Sequence, residues 1–259
     1  MASIGGDVAA GSERVDPIVA RTSPTGWRVW LTYLATAGRL RLGGLGLALV
    51  VGFGAGLLAL YAFAALAEDV ASQETQQLDM AVLLWLHQFS SPTLDAVATG
   101  LSLLGSELLV VLVVAALVAL GYQRRWGAAL ALVLVVGGAE LLNSVLKALF
   151  HRTRPGSVDA LIAAQLFSFP SGHAMVAAAF YFFLAYLAWR VLRGWQRWAC
   201  AGALLLLVLL IGASRLYLGV HFLTDVVAGY LAGFLWTDAV IIGSHFVALR
   251  RRAASPQPG

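Results

Sequence analysis

The chain has 259 residues, 60% hydrophobic and 12% charged, with a mean hydropathy of +0.84 and a formal net charge of +4. Charged residues make up about 25% of an ordinary soluble globular domain, so this composition excludes that class. The lone cysteine, Cys200, excludes an intrachain disulfide.

Residues 1–26 mix Gly, Ser, Pro and charge without apolar periodicity and read as a disordered tail. Trp27 and Trp30 follow as interfacial anchors. Six apolar runs come next, at about 42–67, 96–122, 127–150, 171–189, 198–216 and 222–247. Each can cross the roughly 30 Å of hydrocarbon as a helix. Backbone groups in lipid must be satisfied internally, which favours helices over open strands. Residues 27–249 therefore predict one all-α domain, a polytopic membrane helical bundle of six transmembrane helices plus an interfacial helix. Residues 250–259 form a short second tail.

The first run carries Gly52 and Gly56, a pair at small-xxx-small spacing that either admits a neighbouring helix or merely faces lipid. It ends in Ala65-Leu66-Ala67, which resembles a signal-peptide cleavage site. The run before that site, about 24 residues, exceeds a usual signal core, so it reads as a retained span. In 74–89, Leu78, Val82, Trp85 and Phe89 oppose Gln77, Asp79 and Gln88 at helical spacing, as in a helix lying in the interface. That segment is either a lid or a plain connector. Ser90-Ser91-Pro92 breaks the chain and Asp95 begins the next helix. Glu107 and Glu140 fall inside apolar runs and read as hydrogen-bonding groups between helices. Glu140, Asn143, Lys147 and Arg154 share one helical face if the third helix continues to Pro155.

Thirteen cations fall on one side of a six-span layout: Arg14, Arg21, Arg28, Arg39, Arg41, Arg124, Arg125, Arg190, Arg193, Arg197 and Arg250 to Arg252. By the positive-inside rule that side, with both termini, is cytoplasmic. This distribution along membrane ends also argues against nucleic acid as a partner. Lys147, Arg152, Arg154 and Arg215 remain on the other side.

Those four cations belong to, or lie among, three clusters. Lys147 and Arg154 are about 10 Å apart along a continuous helix and fit either a bound phosphate or snorkelling to lipid head groups. Pro170-Ser171-Gly172-His173 stands at a helix start, where free N–H groups favour an anion, although Ser171 could be an ordinary N-cap. The imidazole of His173 there can donate a proton to an ester oxygen. His221 and Asp225, at i and i+4, are neighbours on one helical face, six residues beyond Arg215. A carboxylate on one ring nitrogen fixes the tautomer and leaves the other free to attack. His151, His173, His221 and Asp225 could form a zinc set, but Lys147, Arg154 and Arg215 would crowd a metal with like charge. No metal or other cofactor is expected.

Read together, Lys147-x6-Arg154-Pro155, Pro170-Ser171-Gly172-His173 and Ser214-Arg215-x5-His221-x3-Asp225 resemble the signature of the type 2 phosphatidic acid phosphatase superfamily. The resemblance implies a metal-independent phosphatase acting on a lipid phosphate or diphosphate at the extracytoplasmic membrane face. It implies His221 as nucleophile through a phosphohistidine, Asp225 as its orienting partner and His173 as general acid. Lys147, Arg154, Ser171, Gly172 and Arg215 would bind the phosphoryl oxygens. The implied setting is a bacterial inner membrane, and membrane lipids are the expected partners. Substrates suggested by the family are phosphatidic acid, phosphatidylglycerol phosphate, undecaprenyl diphosphate and lipid A phosphates. Oligomeric state is not legible.

Three rivals share parts of this pattern. A phosphotransferase would pass the same phosphohistidine to an acceptor other than water. Haloperoxidases that bind vanadate share the motif but are soluble. A lipid-phosphate transporter would show inverted repeats with broken mid-membrane helices, and the sequence carries neither signal.

Overall fold

The computed structural model describes residues 43–155 and 167–254, so the expected tail at 1–26 lies outside the described residues. The chain divides into a unit of residues 1–47 and a unit of residues 48–259, and the second holds the helical bundle. Eight helices occur among the described residues: α1 (Gly43–Ala71), α2 (Gln76–His87), α3 (Pro92–Leu103), α4 (Glu107–Tyr122), α5 (Trp126–Phe150), α6 (Gly172–Val191), α7 (Trp195–Tyr217) and α8 (Leu223–Ala254). No strand is present among those residues. Six stretches are long and apolar enough to cross a membrane, α3 and α4 together supplying the second. The protein is an integral, multi-pass membrane protein.

The second apolar run was expected as one helix and is two. A turn at 104–106 separates α3 from α4. The Tyr181 hydroxyl of α6 donates to the Leu104 carbonyl at 2.9 Å, so a backbone acceptor released by the break is satisfied by side chain. Helix α3 begins at Pro92 with Ser91 as its N-cap, whose Oγ accepts from Leu94 N–H at 3.4 Å. Asp95 thus sits in the first turn rather than at the start, and it accepts from the Tyr217 hydroxyl at 2.7 Å. At the other terminus α8 runs to Ala254, so the expected second tail is helical over its first residues, and 255–259 lie outside the description.

The core is built on α6, packed by α5, α7 and α8. Ala174, Met175, Ala177, Ala178, Ala179, Phe180, Tyr181 and Phe183 are all buried. A helix of 20 residues spans about 30 Å, and α6 has that length. Small residues let α8 approach it closely. A Cβ at Gly229 would lie 2.7 Å from the Ser171 carbonyl oxygen, and one at Gly233 would lie 2.4 Å from that of Met175. This Gly-xxx-Gly contact presses the start of α6 against α8, which fixes where Ser171 and His173 stand. Gly52 and Gly56 of α1 also receive a neighbour, in this case a side chain. The Asp238 carboxylate of α8 would meet Cβ atoms there at 3.1 and 2.9 Å. Large apolar side chains such as Leu58, Tyr61, Val111, Leu141 and Leu206 are exposed around the bundle, as expected of lipid-facing surface.

Helix α2 is oriented differently from its expected amphipathic pattern. Leu78, Trp85 and Phe89 face outward, Gln77 and Gln88 are exposed as well, and Asp79 is completely buried. In a membrane protein the polar side chain with a partner goes inside and the apolar stripe meets lipid.

Candidate active site

Four chain segments meet at one end of the bundle: the end of α5, the start of α6, the end of α7 and the start of α8. Helix α5 stops at Phe150, earlier than the reading that carried it to Pro155. His151 adopts the left-handed conformation at φ 49°, and its N–H reaches back to the Lys147 carbonyl at 3.2 Å. Lys147 and Arg154 are therefore not on one helical face. They still lie within electrostatic reach of each other, and Lys147 also feels Glu140, Asp225 and Arg215.

The segment before α6 is held on three sides. Ser168 N–H donates to the Arg152 carbonyl at 2.7 Å, Ser171 N–H to the Asp225 carbonyl at 2.9 Å, and Asn143 Nδ2 to the Pro170 carbonyl at 3.3 Å. Gly172 leaves room for Asn143, whose Oδ1 would sit 3.0 Å from a Cβ there. Ser171 occupies the N-cap position of α6 without making a side-chain cap bond. Its Oγ is buried and has no hydrogen-bond partner among the described residues. An unpaired buried hydroxyl at a helix start costs stability, and the N–H groups beside it favour an anion.

His221 and Asp225 meet differently from the expected helical pair. Helix α8 begins at Leu223, so His221 stands ahead of it and only Asp225 is helical. Asp225 reaches back to accept from Phe222 N–H at 2.9 Å, which is the N3-to-N-cap half of a capping box. That bond turns the preceding residue toward the carboxylate. His221 Nδ1 lies 3.5 Å from Asp225 Oδ2, at the outer edge of hydrogen-bonding distance, and has no closer partner among the described residues. Both side chains are buried, His221 at 1% exposure and Asp225 at 0%. Asp225 further accepts from Ser168 Oγ and, at 2.7 Å, from Arg152.

The electrostatics bring the three clusters into one place. His173 lies within reach of Arg215, His221, Lys147 and Glu107. Arg215 feels Arg154 and Glu107, and its Nη1 donates to Ser102 Oγ of α3. Burial pulls the His221 imidazole below its ordinary value; Asp225 opposes this, while Arg154 and Arg215 reinforce it. Its neutral form therefore prevails at neutral pH. Burial also lowers Arg154, against the pull of Asp225. An arginine starts so high that it stays charged.

Several residues of this site were not singled out by sequence reasoning. Arg152, Asp79, Ser168 and Thr224 form the surroundings of Asp225, and Ser102 supports Arg215. Arg152 was visible only as a fourth cation on the motif side. Glu107 and Glu140 were read as interhelical packing groups, and the structure corrects this. Both are exposed, Glu107 accepting from Ser106 Oγ in the first turn of α4. The break at 104–106 leaves Glu107 at the exposed start of α4, where it interacts electrostatically with His173 and Arg215.

The model of the PAP2 superfamily matches residues 128–247, which span α5 to most of α8 and contain all three clusters. Phosphatidylglycerophosphatase B of Bacillus subtilis (strain 168) is 37% identical over 180 residues, covering 67% of this chain and 86% of that protein. The chain belongs to the PAP2 superfamily. Among solved structures, the transmembrane PAP2-type phosphatidylglycerolphosphate phosphatase from Bacillus subtilis superposes with a TM-score of 0.66 at 31% identity, covering 74% of this chain and 96% of that one. Aquifex aeolicus LpxE gives a TM-score of 0.51 at 25% identity, over 63% of this chain and 94% of its own. This PAP2 protein is thus a membrane-integrated lipid phosphate phosphatase, a phosphoric ester hydrolase.

Proposed function

We propose that the protein hydrolyses the terminal phosphate of a lipid phosphate at the extracytoplasmic face of a bacterial inner membrane, through a phosphohistidine on His221. The observation that carries this reading is the buried His221–Asp225 pair, with His173 and three cations within electrostatic reach. Asp225 holds the Nδ1 proton, which leaves the Nε2 lone pair free to attack phosphorus. The bond from phosphorus to the lipid oxygen breaks as the Nε2–P bond forms, and His173 gives its proton to the departing oxygen. Water then attacks the phosphohistidine while His173 takes one of its protons, releasing phosphate and restoring both imidazoles. Lys147, Arg154 and Arg215 offset charge on the transferring group, with Ser171 Oγ and the N–H groups of the α6 start as donors.

The extracytoplasmic placement is supported by the charge distribution along the sequence, in which a six-span layout assigns thirteen cations to one side and the site cations to the other. Labelling a Gln73→Cys, Cys200→Ser chain with a membrane-impermeant maleimide on intact cells tests it, and failure to label would reverse the orientation. Among lipids, phosphatidylglycerol phosphate stands first, because the curated relative and a solved structure, both from Bacillus subtilis, are named for it. The deciding experiment is phosphate release from a panel of lipid phosphates, with chelator present throughout. His221→Ala should lose at least about 10³-fold in turnover. Parental turnover in that variant would remove the nucleophile from the mechanism.

A further inference from the structure

A buried charge cluster extends beyond the residues given roles above. Asp79, on the surface helix α2, is completely buried and accepts from Thr224 N–H at 3.0 Å, from Thr224 Oγ1 at 2.6 Å and from Arg152 Nη2 at 2.7 Å. Arg152 Nη1 donates to Thr224 Oγ1 and to Asp225 Oδ1, both at 2.7 Å. The guanidinium lies over the Phe222 ring, 4.4 Å from its centroid. One fork therefore bridges two buried carboxylates, one from α2 and one from α8, and the three groups together carry a net negative charge. A carboxylate buried this deeply is costly and needs a reason.

We infer that Asp79 is a positioning residue of the phosphatase site. By sharing Arg152 it keeps that cation from neutralising Asp225, and it clamps α2 to the start of α8. The inference rests on the reading of His221 as nucleophile and Asp225 as its partner. Without Asp79, Arg152 would turn its whole charge on Asp225 and weaken the hold of that carboxylate on the Nδ1 proton. The charged groups around His221 come from every side: Asp225 from α8, Arg152 and Arg154 from the segment after α5, His173 from α6 and Arg215 from α7. Lys147 of α5 and Glu107 of α4 act on these in turn. Asp79 is the contribution of α2, and it reaches His221 only through Arg152 and Asp225.

Asp79→Asn keeps the shape and removes the charge. In the full-length protein, kcat should fall about 10- to 100-fold with little change in KM, as for other groups that orient a reacting residue. Losing a negative charge disfavours the imidazolium, so the acid limb of the kcat/KM profile should move to lower pH by about half a unit to one unit. The double variant with Arg152→Gln should be no worse than Arg152→Gln alone. A merely structural Asp79 would lower the melting temperature but leave the acid limb in place, which overturns the inference, as would parental kcat. Should Asp79→Asn fail to fold, Thr224→Val keeps every charge and loosens Asp79. It should lose kcat severalfold at an unshifted acid limb, and parental kcat there overturns the inference equally. His221→Ala run alongside separates the two levels. If it is inactive while Asp79→Asn behaves as parent, only the positioning role fails; if it turns over normally, the site reading fails first.

Discussion

Arginines at the two ends of the bundle live by different rules. At the motif end Arg152 is nearly enclosed, its side chain 11% exposed, with two carboxylates, a hydroxyl and a ring face all in contact. At the far end Arg190 and Arg250 are exposed and rest on Tyr186 and Phe246, with guanidinium-to-centroid distances of 5.8 and 4.6 Å. The residue type is the same, and each guanidinium has an aromatic ring beside it. What differs is water. Exposed guanidinium groups at a membrane interface are screened and exchange partners freely. A buried one must be matched atom by atom, so it holds its neighbours in fixed positions. The difference teaches that the chain places its rigid electrostatics where phosphate chemistry is proposed and leaves the other end to anchor in the membrane.

The most forceful way to break this comparison is to delete one arginine at each end. Arg152→Ala strands two buried carboxylates and should destabilise the protein by about 3–5 kcal/mol, measured as loss of thermal stability in detergent. Arg190→Ala should leave the melting temperature unchanged within error. Equal effects from the two would end the distinction.

A smaller effect sharpens it by separating stability from activity at the motif end. Ser171→Ala removes a buried hydroxyl that has no partner among the described residues, so stability should hold or rise. Phosphate release should nevertheless fall by about 10-fold or more, since a donor to the phosphoryl group is lost. A loss of stability with activity kept would show Ser171 to be a structural cap.

The smallest effect is in pH. The proposed nucleophile must be neutral, and burial holds His221 below its ordinary value. As pH falls through that depressed value the imidazole gains a proton and activity is lost. The acid limb of kcat/KM should thus have its midpoint below about pH 6.5, the unperturbed value for histidine. With His173 needed in its protonated form in the bound complex, the profile of kcat should add a basic limb and be bell-shaped. A midpoint above that value would assign the limb to another group.

Much of this protein was legible before any fold was known. Uninterrupted apolar length dictates six spans because a backbone in hydrocarbon has no alternative to helix. The three clusters could be read because phosphate chemistry at a site of this kind draws on few residue types, namely cations, imidazoles and a carboxylate. The structure brings Lys147, Arg154, His173, Arg215, His221 and Asp225 to one end of the bundle. What pattern reading missed were changes of backbone direction. The turn at 104–106 is marked by Gly105-Ser106-Glu107, a stop and start signal that the high hydropathy on either side overrode in the reading of one continuous span. His151 ends α5 by a left-handed turn that any continuing periodicity conceals. Asp79 looked like one more polar residue on an interfacial helix, because amphipathic spacing cannot say which face meets protein and which meets lipid.

Residue types and their order, then, determined that this chain spans a membrane six times and carries its cations, imidazoles and carboxylate in three clusters near the ends of those spans. Only tertiary structure decided which groups pair: that Arg152 bridges Asp79 and Asp225, that Asp225 turns back to Phe222, and that Ser171 Oγ has no partner among the described residues. The physical reason is range. Hydrophobic transfer and helix formation act on local stretches of chain, whereas a buried charge takes whichever partner the packing of distant helices brings within about 3 Å.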